Sequence, residues 1–190
     1  MAMTVRKRKD TRTPRVIMHK VADIRGGVSV NISELGGDYL REGAVLSAPD
    51  NGICHVVKIA RLTAEASTSD VNIKVDKYHN FKVGDFVMAA TKAKAYAITA
   101  IDTSNKAYDT ITIGTTLGVK IEKGASIIEA KAESASTTSE LKYVPFAIVG
   151  TGKPIIPDTN LDTDAWVMAV TKDNPLPDAV ASLLKGIINY

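Results

Sequence analysis

Cys54 and His55 stand side by side, and a thiol next to an imidazole is the pairing a cysteine hydrolase would use. In an extended chain, neighbouring side chains point to opposite faces, so these two cannot meet. The run CHVVKIARLT around them is apolar and rich in β-branched residues, which predicts a strand of central type. Cys54 then reads as a small buried side chain and His55 as a surface one. His19, His55 and His79 share no metal-ligand spacing, and a single cysteine cannot supply a closed zinc site. Neither G-x-G-x-x-G nor G-x-x-x-x-G-K-[ST] occurs, so nucleotide binding has no support. The expectation is no catalytic residue, no resident metal and no cofactor.

Asp158, Asn160, Asp162 and Asp164 alternate with other residues, as oxygen ligands do in the first half of a calcium loop. Thr163 stands where such a loop needs its turning glycine, and Ala169 where it needs its bidentate glutamate. An Asx-rich turn before the AWVMAV run accounts for the same residues. Tyr78, Phe81 and Trp166 are possible stacking platforms for a sugar, but aromatics make up only 5% of the chain. A carbohydrate- or receptor-binding β module is therefore the alternative reading, and burial of Phe81 and Trp166 would remove its footing.

The elements that must position these residues are short. From Val71 to Glu129, β-type runs are broken by Gly, Asn and Asp: VNIKV, KYHNFKVGDFV, YAITAIDTSNKAYDTITIGTTLG and KIEKGASIIE. In DTITI, Ile111 and Ile113 fall on one face of a strand, with Thr110 and Thr112 on the other. The polar turn from Asp102 to Lys106 joins that strand to YAITAI as a hairpin. Lys82-Val83-Gly84-Asp85 reads as another turn, with Gly84 supplying the backbone freedom. VIMHKV, VSVNIS, YVPFAIVG and AWVMAVT add further strands. At the C-terminus, Val180, Leu183, Leu184, Ile187 and Ile188 recur at helical spacing behind Pro177 and Asp178. That predicts a short helix whose apolar stripe packs on the body or makes the contact between subunits. The predicted fold class is all-β, a barrel or sandwich of short antiparallel strands with this terminal helix. Residues 1–15 form a basic arm, 16–130 a β-rich body, 131–140 a Ser/Thr/Ala-rich loop or linker, and 141–190 the final strands and helix.

Length and charge narrow the function classes. At 190 residues, with 45% hydrophobic and 24% charged residues, the chain is sized for a core of its own. One cysteine excludes an intrachain disulfide and suits a reducing cytoplasm. The basic start lacks the apolar segment of a secretory signal, and no apolar run reaches the ~18 residues a membrane helix needs. Arg6, Lys7, Arg8, Lys9, Arg12 and Arg15 crowd the arm against one acid, Asp10, leaving a slightly acidic body. Such an arm is expected to be flexible, either docking on an acidic surface or serving as a solvated tail. Specific nucleic-acid recognition is disfavoured, because no aromatics interleave with the arm and the body lacks a second basic patch.

The segments GGDYLREGAVLSAPDNG, HVVKIARLTAEA, IKVDKYHNFKVGDFV, ITAIDTSNKAYDTITIGTTLG, YVPFAI and LPDAVASLLKGI cover most of the chain from about Val28. Taken in order, they resemble the head fibre and head decoration (auxiliary capsid) proteins of tailed bacteriophages. The resemblance implies a non-enzymatic structural protein of the virion, assembled in the host cytoplasm. It would sit on the outer capsid surface, bound to the major capsid protein, often as a homotrimer, reinforcing the shell or anchoring a head fibre. The arm, Arg6 to Arg15, would then dock on the capsid. The chain has no long repetitive shaft, so a compact decoration protein or fibre base fits better than a full fibre.

Overall fold

The computed structural model describes residues 15–156 and 159–190. Glycine- and Asx-rich turns keep every strand short. The first part of the chain supplies β1 (Ile17–Asp23), β2 (Val28–Val30), β3 (Tyr39–Leu40), β4 (Val45–Ser47), β5 (Ile53–Cys54) and β6 (Val56–Val57). The middle supplies β7 (Ile59–Arg61), β8 (Asn72–Val75), β9 (Phe86–Met88), β10 (Ala95–Asp102), β11 (Asp109–Ile113) and β12 (Ser126–Ala130). The last part supplies β13 (Pro145–Val149), β14 (Lys153–Pro154), β15 (Leu161–Thr163), β16 (Ala165–Thr171), the single-turn helix α1 (Asp178–Ala181) and β17 (Ile187–Asn189). The chain is all-β, as its patterning predicts.

Two six-stranded sheets dominate. One has the order β1-β16-β13-β4-β6, with β17 added parallel to β16; the other has the order β7-β12-β9-β10-β11-β8. A pair, β14-β3, and a three-stranded sheet, β15-β2-β5, complete the architecture, and the sheets do not close into a barrel. Strand pairing divides the chain differently from the expected 16–130 body and 141–190 tail. The first sheet is built from both ends of the chain, while residues 59–130 make the second.

Alternating residues explain why the strands look apolar throughout. Leu46, Val56 and Ala147 enter one core with Val28, Val30, Leu40 and Cys54. Their neighbours Val45, Val57 and Ile148 enter a second core, shared with Ile59, Met88 and Ile128 of the other sheet. Ala60, Val87 and Ile127 then turn into a third core with Ile73, Ile98, Ile111 and Ile113. A strand buried on both faces has no polar side to alternate with. CHVVKIARLT is therefore not one strand: it supplies β5, β6 and β7 to three different sheets, breaking at His55 and Lys58.

The β10–β11 hairpin forms as expected, with Ile111 and Ile113 buried and Thr110 and Thr112 half-buried. Its tip is made by Asx turns: Asp102 Oδ1 accepts the Ser104 N–H at 2.9 Å and Asn105 Oδ1 the Ala107 N–H at 2.8 Å. At the other turn Gly84 has φ 94°, while Asp85 Oδ2 accepts the Lys82 N–H at 2.8 Å. Residues 131–140 are a pinned loop rather than a linker. Ser134 and Ala95 exchange backbone hydrogen bonds of 2.8 and 2.9 Å, and buried Ser139 accepts the Ala93 N–H at its hydroxyl.

The C-terminal stripe is a correction. The helix is a single turn, because the chain re-enters the first sheet as β17, where its backbone finds partners on β16. Val180 and Leu184 are buried in the molecule's own shared core, whereas Leu183 and Ile188 are exposed and Ile187 is half-buried. The five side chains do not form one face available to another subunit.

Candidate functional site

A cleft of about 800 Å³ lies between residues 36–39, the segment 77–81 and the hairpin tip at 103–106. Two non-glycine residues of its wall, Tyr78 (φ 63°) and Asn80 (φ 60°), adopt the left-handed conformation. Such geometry costs about 1–3 kcal/mol per residue and persists only when neighbours enforce it. Asn80 supplies the enforcement: its Nδ2 donates to the carbonyls of Gly36 and Tyr39 at 3.0 Å each, and its own carbonyl accepts the Gly36 N–H at 2.8 Å. A Cβ at position 36 would collide with the Phe81 carbonyl, so this close approach requires glycine. The clamp turns Tyr78 toward the cleft, edge-on to Tyr39 with 5.8 Å between ring centroids.

Inside the cleft, His79, Asp109 and Lys77 converge. Lys77 Nζ donates to Asp109 Oδ1 at 2.5 Å and to the Thr103 carbonyl at 3.1 Å. His79 Nδ1 accepts the Phe81 N–H at 3.0 Å, which puts the ring proton on Nε2. That Nε2 lies 3.4 Å from Asp109 Oδ2 and has no hydrogen-bond partner among the described residues. Burial pushes the His79 pKa down to about 4; Asp109 opposes the shift, while the charges of Arg41 and Lys77 add to it. At neutral pH the cleft presents a neutral N–H donor, a carboxylate shared with an ammonium, and two tyrosine rings. This arrangement can hold a polar ligand in a fixed orientation.

A second polar assembly runs through the interior. Lys58 is fully buried where the chain crosses between the sheets, with Nζ 2.6 Å from Asp85 Oδ2 and 3.2 Å from Glu129 Oε1. Glu129 also accepts from Lys142 at 2.8 Å. Burial raises the Glu129 carboxyl, and the charges of Lys58 and Lys142 only partly offset this. Glu34 accepts from Tyr143 Oη at 2.6 Å and lies 2.5 Å from His55 Nδ1, with the His55 and Tyr143 rings stacked at 4.3 Å. Burial alone would raise the Glu34 carboxyl, but the bonds from Tyr143 and His55 bring it below its usual value. His55 is thus half-buried and engaged rather than a plain surface residue.

The structure scatters most of the residues that the sequence singles out. Cys54 is buried in the core opposite to His55's partners, and burial pushes its thiol pKa up. His19 is exposed on β1, far in fold order from His79. Asp158 lies outside the described residues; Asn160 and Asp162 are exposed, and Asp164 accepts from Trp166 Nε1 at 3.0 Å and Lys20 Nζ at 3.3 Å. Among the described residues, no group of three or more His, Cys, Asp or Glu side chains could hold a metal. Phe81 is in the core, and Trp166 is half-buried beneath Lys20, whose Nζ is 5.0 Å from the ring centroid. Of the proposed platforms Tyr78 lines the cleft with its ring beside Tyr39, while Phe81, at its wall, is 2% exposed. Arg6, Lys7, Arg8, Lys9 and Arg12 lie outside the described residues, and Arg15 is exposed.

Lys77, Asp109 and the Asn80 clamp were missed by sequence reasoning. The usable signal is KYHN, where two turn-type conformations interrupt a β run, followed by a buried aspartate opening DTITI. Searches against protein-family models, curated proteins and solved structures each found no match to this chain.

Proposed function

We propose that the chain is a structural protein of a tailed-bacteriophage particle, non-enzymatic and attached to the outer capsid surface as a decoration protein or fibre base. The observation that carries this reading is the distribution of exposed apolar side chains. Met18 and Val21 on β1, Phe146 on β13, Met168 on β16 and Ile188 on β17 lie on β16 or on strands that pair with it, flanked by Val144 and Tyr190, whereas Val83, Val119, Ile156 and Leu183 are exposed elsewhere. Phe146 is 44% exposed and Val144 67%. Large apolar groups concentrated on one sheet favour burial against other chains, here the major capsid protein or further copies in a trimer. The ordered sequence resemblance supports the same reading. Mass spectrometry and electron microscopy of purified particles test it. The expected result is a stoichiometric component projecting from the shell. Abundance in infected-cell lysate with absence from particles would overturn it.

The alternative, a carbohydrate- or receptor-binding module, is favoured by one feature: the cleft where Tyr39 and Tyr78 flank His79, Asp109 and Lys77. Glycan-array binding that is lost in Tyr78→Ala would select it. An array without hits would remove it.

A further inference from the structure

Beside the cleft, and sharing Lys77 and Tyr78 with it, lies a second pocket of about 390 Å³. It opens between the β3–β4 turn, the end of β7 and the residues that follow β16. Five cationic side chains line it against three carboxylates, so positive charge is in excess before any ligand is considered. One of those carboxylates is already committed: Glu42 Oε1 accepts the N–H groups of Val16 and Ile17 at 3.1 and 2.9 Å. Lys77 is likewise occupied with Asp109.

The unbalanced charge centres on Arg41 and Arg61. Arg61 Nη2 donates to the Asp173 carbonyl at 2.5 Å, which fixes one end of its guanidinium in the pocket wall. Arg41 is half-buried, and Asp76 acts on it only through space. Burial, then the Arg61 charge, pushes the Arg41 pKa down to about 10. Two guanidinium groups lining one pocket repel each other, and Asp76 offsets this only in part, so an anion between them is favourable. Guanidinium forks match the oxygens of phosphate or carboxylate in pairs. A monoanion balances one fork, whereas a phosphate, carrying about −1.5 to −2 charges, balances both. The volume exceeds that of a bare phosphate, and Tyr78, Ala107 and Pro175 provide a less polar wall for an attached group.

We propose that Arg41 and Arg61 form a binding site for a phosphate group, free or carried on a small organic molecule. The inference is independent of the capsid reading. The test uses the full chain and follows binding by thermal shift and by calorimetry at constant ionic strength. Inorganic phosphate and phenyl phosphate are the probes, with acetate and chloride as controls. The expected result is a saturable stabilisation by phosphate that neither control reproduces. Tighter binding of phenyl phosphate would indicate use of the apolar wall, and equal binding would indicate recognition of the anion alone. Arg41→Gln should abolish binding, Arg41→Lys should weaken it roughly tenfold by removing the fork while keeping charge, and the remote Lys185→Gln should leave it unchanged. Absence of saturable binding by both probes, an equal shift with chloride, or wild-type affinity in Arg41→Gln would each overturn the proposal.

Discussion

Lys58 interrupts an otherwise apolar run, and that interruption was visible in CHVVKIARLT without its meaning being legible. Its meaning is the turn from one sheet to the next, where Asp85 and Glu129 receive the ammonium. Removing one member of a buried ionic group strands the others, at a cost of about 3–5 kcal/mol. Lys58→Met should therefore lower the urea midpoint severely despite its similar volume. A midpoint like that of the wild type would show that the carboxylates find protons or water without loss. His79 makes a pH-dependent prediction. Its pKa is about 4 when folded and near 6.5 when unfolded, so between these values the unfolded chain binds more protons. Stability from this group is complete above pH 6.5 and declines as pH falls toward 4, by at most roughly 3 kcal/mol. Denaturant titrations at pH 7 and pH 5 should show a larger acid loss in the wild type than in His79→Gln. Equal losses would remove His79 as the cause.

At the scale of elements, hairpins were the most legible because local turn chemistry decides them. The Asx turn at Asp102 sits within the polar turn expected from Asp102 to Lys106, and Asn105 adds a second one. The C-terminal segment was misread because Val180, Leu183, Leu184, Ile187 and Ile188 fit helical spacing, and spacing says nothing about competition from an open strand edge. Gly186 was the available signal. A Cβ there would strike the Val167 carbonyl, and its own carbonyl accepts the Ala169 N–H at 3.1 Å, so the chain docks onto β16 at that residue. Two substitutions separate the readings. Leu184→Ala empties a core position and should cost about 2–5 kcal/mol, whereas Leu183→Ala, at an exposed site, should leave the melting temperature nearly unchanged. The reverse ranking would restore the helical stripe.

For the whole molecule, composition and strand patterning were enough to identify an all-β protein, but not its connectivity. Pairing of β1 with β16 and of β4 with β13 joins residues more than ninety positions apart, and no local pattern encodes such partners. The cleft was hidden for the same reason, since Gly36, His79 and Asp109 meet only after the sheets form. On the capsid reading, deleting residues 1–11 should weaken capsid attachment and reduce its salt dependence while the β body stays folded. Each exposed ion pair contributes only about 0.2–1 kcal/mol, so the loss should be partial. Phe146→Ser should weaken attachment or self-association by a route insensitive to salt. Unchanged binding by both variants would direct attention to another surface.

Thr171 pairs with Ile17 on one side and with Asn189 on the other. The first and last strands therefore flank the same residue, roughly two strand spacings, or about 10 Å, apart. A cargo fused ahead of Ile17 and another fused behind Asn189 would emerge from one pole of the molecule, on the side where Arg15, Val16 and Asp173 line the second pocket. The same proximity makes the chain a candidate for circular permutation. A linker of a few residues from Tyr190 to Arg15, with new ends cut at the exposed Ser104–Asn105 tip, should preserve every strand pairing. The permuted protein would then offer an attachment point at the mouth of the cleft instead.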